Sequence, residues 1–306
     1  MSENSPTLGG VFAAVLTPLD AQLAPDHAAL ARHCRWLLAN GCDGLAVLGT
    51  TGEANAFSVD ERLAILDGLA EAGVPAGKLL PGTGCCAVPD TVALTRRALE
   101  LGVAGVLMLP PFYYKKVSDD GLFAAYSEVI ERVGDARLRV YLYHFPQMSA
   151  VPIGQALIER LLARYPGTVA GMKDSSGELD NMTRIARALP GFAVFSGWDD
   201  LLLPLLEAGG AGCITAVGNV ASTLAAEVYA GWRDGGAQAA HGRLEAVRTV
   251  IAAYPLSAAL KEIMARHTGD DSWRTVRPPL MRLDDAGGAA LMDALDGTGF
   301  SLPPAP

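Results

Sequence analysis

The sequence predicts a (β/α)₈ barrel with a C-terminal helical extension, and three observations predict it. Apolar runs of strand length alternate with amphipathic helical stretches along most of the 306 residues. The runs are continuously apolar rather than alternating, as parallel strands covered on the outer face are. One joint also recurs, at Asn40-Gly41-Cys42-Asp43-Gly44, Leu101-Gly102-Val103-Ala104-Gly105 and Ala208-Gly209-Gly210-Ala211-Gly212. In each, a helical pattern stops at a glycine able to take a left-handed cap, and a second glycine opens an apolar run.

In chain order, strands are expected near 11–17, 44–49, 79–83, 105–109, 138–143, 169–173, 192–196 and 212–216. A helical pattern follows each, at 26–39, 58–72, 88–101, 118–133, 152–165, 178–188, 198–207 and 220–233. Ser58 and Ser118 are placed as N-caps, with Glu61 completing a capping box at the first. Eight such units close naturally into a barrel. A doubly wound open sheet is the alternative, but no Gly-rich dinucleotide turn supports it. Beyond about residue 235 the pattern is helical only, at 236–253, 255–267 and 285–296, with Arg277-Pro278-Pro279 breaking the run. Residues 1–235 are therefore assigned to the catalytic barrel and 236–306 to an extension packed on it. The extension is short for a core of its own, and no flexible linker precedes it.

Half of the residues are hydrophobic and the formal net charge is −9. With no basic stripe carrying interleaved aromatics, a nucleic-acid partner is excluded. No apolar run approaches the roughly 20 residues that span a bilayer. Met1-Ser2-Glu3-Asn4-Ser5-Pro6 has neither a basic nor an apolar leader region. Five cysteines, with no CxxC spacing, suit a reduced cytoplasmic setting with free thiols. His27, His33, His144, His241 and His267 are scattered without ligand spacing, which points to surface residues and no metal.

In a barrel, catalytic groups lie at the C-terminal ends of strands. The second strand ends in Gly49-Thr50-Thr51-Gly52-Glu53, a glycine-flanked turn whose hydroxyls and backbone N–H groups suit a carboxylate; a plain polar turn is the alternative. The fourth runs into Pro110-Pro111-Phe112-Tyr113-Tyr114, either a lid or interface, or rings packed over the barrel top. The fifth ends in Tyr143-His144-Phe145-Pro146, a phenol that relays protons if it meets other hydroxyls and is a core tyrosine otherwise. The sixth ends in Lys173, followed by Asp174-Ser175-Ser176-Gly177. A four-carbon amine at the mouth of a buried strand is partly desolvated, which disfavours its ammonium form and leaves it able to attack a ketone. The bland alternative is a lysine reaching water or pairing with Asp174. The seventh ends in Ser196-Gly197-Trp198-Asp199-Asp200. Lysine, phenol, hydroxyls and an anion nest on one rim are the parts that imine chemistry on a 2-oxo acid requires.

Gly49-Thr50-Thr51-Gly52-Glu53, Tyr143 three residues before Pro146, and Gly171-Met172-Lys173-Asp174 resemble the motifs of the dihydrodipicolinate synthase / N-acetylneuraminate lyase family. The likeness runs over almost the whole chain, to Arg277-Pro278-Pro279-Leu280. It implies class I aldolases that handle pyruvate, usually tetramers built as dimers of dimers. It further implies Lys173 as the Schiff-base residue and Tyr143 as general acid/base. Thr50 and Tyr113 complete a proton relay, Tyr113 reaching a neighbouring subunit. Thr50 and Thr51 match the pyruvate carboxylate site, and Ile214 a backbone carbonyl beside it; Gly49, Ser175 and Gly197 are placed with the substrate-binding set. No cofactor is implied, because the lysine imine itself carries the chemistry.

Departures narrow the choice. The synthases carry an arginine two residues after their proline, and here Met148 stands in that place, with His144 replacing an asparagine. Losing a bidentate cation at a carboxylate contact costs about 2–5 kcal/mol, which disfavours the synthase reaction. Asp199 and Asp200 lie nearer the lyase branch, as acceptors for a polyol tail or, equally, as caps of the following helix. Retro-aldol cleavage, or its reverse, of a 4-hydroxy-2-oxo acid of the 2-keto-3-deoxy sugar acid type is expected, with pyruvate as one partner. The synthase reaction, dehydration of a keto-deoxy acid and a catalytically silent binding barrel are the alternatives.

Overall fold

A computed structural model describes residues 8–306; Met1–Pro6, read above for a leader, lies outside the described residues. Seven parallel strands, β1 (Gly10–Ala14), β2 (Gly44–Ala46), β3 (Val106–Met108), β4 (Val140–His144), β5 (Val169–Asp174), β6 (Ala193–Ser196) and β7 (Gly212–Thr215), lie in the order β2-β1-β7-β6-β5-β4-β3. The third expected strand, 79–83, fills the gap between β2 and β3. Its Leu80 and Gly82 N–H groups donate to Leu45 and Val47 carbonyls (both 2.8 Å), while its Pro81 carbonyl accepts from Leu107 N–H (2.8 Å). Pro81 has no N–H to give, so the ladder there is reduced to isolated bridges. The ring closes nonetheless.

The helices are α1 (His27–Ala39), α2 (Val59–Glu71), α3 (Val88–Leu101), α4 (Asp119–Val133), α5 (Pro146–Ser149), α6 (Gln155–Arg164), α7 (Leu179–Ala188), α8 (Leu202–Glu207), α9 (Gly218–Gly231), α10 (Gln238–Ala252), α11 (Leu256–Thr268) and α12 (Asp285–Asp296). The Ser58–Glu61 capping box forms, and Ser118 accepts from Gly121 N–H at 3.2 Å. Two predicted helices start late. Pro152 and Gly154 delay α6, and a 3₁₀ turn at Asp199–Leu201 precedes α8. The recurring joint has one explanation at each site. Gly41, Gly102 and Gly209 sit at φ 98°, 81° and 95°, a region open to glycine. At Gly44, Gly105 and Gly212 a Cβ would strike Phe12, Tyr141 and the Gly10 carbonyl.

Phe12, Leu80, Leu107, Tyr141, Tyr143, Phe195 and Ile214 fill the barrel interior. A second core joins Val11, Leu203 and Val217 of the barrel to Leu244, Val247, Ile263, Trp273 and Leu291 beyond residue 235. The histidines are not surface residues as expected. His33, His144 and His241 are buried and His27 and His267 half-buried. His33 shows why: its Nε2 meets Asn219 Oδ1 at 3.0 Å, and burial lowers its pKa to about 4, keeping the ring neutral. No helix among the described residues is long and apolar enough to cross a membrane.

Candidate active site

Register builds the centre of the site. Tyr141 pairs with Gly171 and Tyr143 with Lys173, so both rings and the lysine point into the barrel. Gly171 is small because a Cβ there would come within 2.8 Å of the Tyr141 ring. Lys173 is 5% exposed, and its Nζ lies 4.5 Å from the centroid of the Tyr143 ring. The alternative pairing with Asp174 does not form. Asp174 faces outward and accepts from Ser176 N–H at 2.8 Å and Asn181 Nδ2 at 2.7 Å. Lys173 makes no ion pair among the described residues, so no carboxylate competes for its nitrogen.

The Tyr143 hydroxyl faces Thr50 Oγ1 at 3.4 Å. That is long for a hydroxyl pair. Thr50 belongs to a turn bracketed by Leu48 and Glu53, both at positive φ (57° and 58°). Non-glycine residues in that region store strain and persist only where their surroundings hold them. Thr51 is buried, and a Cβ added at Gly49 would meet nothing within 4 Å, so the turn opens onto free space. A small cavity, about 10 Å³, is lined by Gly49, Thr50, Asn55, Arg62, Gly84 and Tyr143 among others. Larger clefts of about 630 and 470 Å³ lie between α1 and α2 and beside α7. Neither contains Lys173, Tyr143 or Thr50, and chemistry rather than size decides which is the site.

The remaining expected residues divide. Ile214 is buried in the barrel interior on β7. Gly197 approaches Ser175 so closely that a Cβ would sit 2.1 Å from its Oγ, and Gly197 N–H donates to the Asp174 carbonyl at 2.7 Å. The rim after β6 thereby lies directly against the segment following Lys173. Tyr113 is 73% exposed in a loop, stacked edge-on against Tyr114, and does not join Thr50 and Tyr143 within one chain. Asp199, expected either as an acceptor for a polyol tail or as a helix cap, is enclosed. It is 0% exposed and faces Arg248 of α10 at 3.7 Å. Asp200 is held by the same guanidinium at 3.1 Å, and neither carboxylate caps a helix. Arg248 also lies over the Trp198 ring, 4.3 Å from its centroid.

Comparison with known proteins decides the family. The model of the dihydrodipicolinate synthetase family matches residues 7–297. The chain belongs to that family. This family member is a lyase. It is 36% identical to an uncharacterized DapA-like lyase of Chloroflexus aurantiacus over 94% of this chain and 96% of that one. It is 35% identical to the 4-hydroxy-tetrahydrodipicolinate synthase of Listeria welshimeri over 95% and 98%. Among solved structures, the dihydrodipicolinate synthase of Agrobacterium tumefaciens superposes with a TM-score of 0.87 at 30% identity, covering 94% of this chain and 99% of that one. A prophage protein of the same family from E. coli K12, solved with pyruvate, gives 0.87 at 29%, covering 96% and 99%.

Sequence reasoning missed the residues that hold the rim of this family member from behind. Arg248 is one. Lys261 is another, fully buried on α11 and paired with the equally buried Glu53. Lys261-Glu262 inside the apolar run Ala258–Ala265 was the available hint, since a solvated pair has no reason to sit there. Arg62 is also buried, donating to the Gly82 carbonyl at 2.8 Å and to Cys85 Sγ at 3.0 Å.

Proposed function

We propose that this family member is a pyruvate-dependent class I aldolase that cleaves or forms a 4-hydroxy-2-oxo acid, of the 2-keto-3-deoxy sugar acid type, through an imine on Lys173. One observation carries the reading: a buried lysine nitrogen with no ion pair among the described residues lies against a tyrosine whose hydroxyl meets Thr50. The pyruvate bound to the E. coli relative is consistent with it.

The unprotonated amine of Lys173 adds to C2 of the oxo acid, one proton is taken up from solvent as water leaves, and a protonated imine remains. The turn at Thr50 and Thr51 receives the C1 carboxylate. The C4 hydroxyl gives its proton to the Tyr143 oxygen as that oxygen passes its own to Thr50. The C3–C4 bonding pair flows toward the imine nitrogen, the aldehyde departs, and an enamine is left. Protonation at C3 and hydrolysis release pyruvate and the free lysine. The imine is the electron sink throughout, so the reading requires neither metal nor organic cofactor. In a tetramer of two tight dimers, Tyr113 of a neighbouring subunit continues the relay to solvent, which accounts for a tyrosine left 73% exposed on the single chain. A cytoplasmic location, where pyruvate is held, suits the reaction.

Condensation of pyruvate with aspartate semialdehyde is the second reading, because relatives bear that activity in their names. Met148 opposes it, standing 61% exposed where a cation would serve the aldehyde's carboxylate. A panel of 2-keto-3-deoxy sugar acids, with pyruvate release followed by a coupled dehydrogenase, tests the choice. Release from one or more members supports the aldolase. Turnover only with aspartate semialdehyde overturns it.

A further inference from the structure

We infer that Lys261, on α11 of the C-terminal extension, is a positioning residue that acts through Glu53 to hold the Gly49–Glu53 turn in the shape that receives the substrate carboxylate. The inference rests on the reading that this turn binds C1 of a 2-oxo acid.

Glu53 ends the turn at φ 58°, a conformation a glutamate does not adopt without external support. Both of its oxygens are committed. Oε1 accepts from Lys261 Nζ, and Oε2 accepts from the Arg277 N–H at 2.9 Å. Lys261 spends a second proton on the Thr275 carbonyl at 2.7 Å. Four residues earlier on α11, and so on the same helical face, Ser257 Oγ donates to the Thr51 carbonyl at 3.4 Å. Within the turn, Glu53 N–H donates to the Thr50 carbonyl at 3.1 Å, and from β1's side Thr17 Oγ1 donates to the Gly52 carbonyl at 2.8 Å. The Thr51 and Gly52 carbonyls are therefore drawn outward, which leaves the Thr50 and Thr51 N–H groups for the open side at Gly49. A wholly buried ion pair is a poor device for stability, because apolar residues of equal volume often serve as well or better. Geometry at the turn is what this pair supplies and a pair of leucines would not.

The test compares borohydride trapping of Lys173 by pyruvate with trapping by hydroxyacetone, a ketone of similar size without a carboxylate. In Lys261→Met the ratio of pyruvate to hydroxyacetone trapping rates should fall roughly tenfold to a hundredfold, the usual cost of a slight misplacement at a binding contact. In Ser257→Ala, which keeps the ion pair, it should fall severalfold, and this variant decides the question if Lys261→Met does not fold. Lys261→Arg, which keeps the charge, should recover part of the preference. A purely structural role would lower the melting temperature and leave the ratio alone. An unchanged ratio in the folded variants overturns the inference, whereas absence of pyruvate trapping in the unaltered protein overturns the proposed function instead.

Discussion

Asp199 and Arg248 face each other across the seam between barrel and extension, 3.7 Å apart, with the carboxylate wholly enclosed. Burial pushes the Asp199 carboxyl up from 3.8 to about 6, against the opposing pull of Arg248 and with a smaller push from Asp200. The folded state thus binds this proton more tightly than the unfolded chain does. The stability it contributes is complete below pH 4 and is lost as pH rises through about 6, by up to about 3 kcal/mol. Urea unfolding of the protein and of Asp199→Asn between pH 4 and 7 checks the sign. The stability of the unaltered protein relative to the variant should decline across that window, and a flat difference contradicts the assignment.

Arg248→Met should destabilise more at pH 7 than at pH 5, because only at the higher pH does it strand an ionised buried carboxylate. The cost at pH 7 should reach about 3–5 kcal/mol. Chemical denaturation at the two pH values measures it.

Tyr143→Phe keeps the ring beside Lys173 and removes only the hydroxyl. Turnover should fall roughly 10²- to 10⁴-fold, while trapping of pyruvate by borohydride persists. Thr50→Val should cost turnover roughly 10- to 100-fold. The double variant should be little worse than Tyr143→Phe, since the two hydroxyls form one relay. Steady-state kinetics on the three variants distinguishes a relay from independent contributions.

Met148→Arg should improve use of an acceptor aldehyde that carries a distal carboxylate, by roughly tenfold in kcat/KM, the scale of one charge-assisted contact. Aspartate semialdehyde with pyruvate is the assay. No improvement would show that position 148 lies outside the path of the aldehyde's tail.

Much of the framework was legible because its causes are local. Gly41, Gly102 and Gly209 announce helix ends, Ser58 and Glu61 announce a beginning, and strand ends point to Lys173 and Tyr143. What stayed hidden depends on partners distant in sequence. Pro81 thins the third expected strand to bridges, although both neighbours still bond to it. Gly197-Trp198-Asp199-Asp200 reads as acceptors for substrate or as caps of the following helix until Arg248 arrives from α10. Glu53 reads as one more residue of a polar turn, and only α11 shows why it is there. Histidines misled for the same reason: burial of His33 depends on Asn219, at the start of α9.

The most direct measurement is intact-mass analysis with peptide mapping after incubation with pyruvate and borohydride, run beside Lys173→Met. A single reduced pyruvyl adduct on Lys173, absent from the variant, is the expected result. No adduct, or one placed on another lysine, contradicts the account.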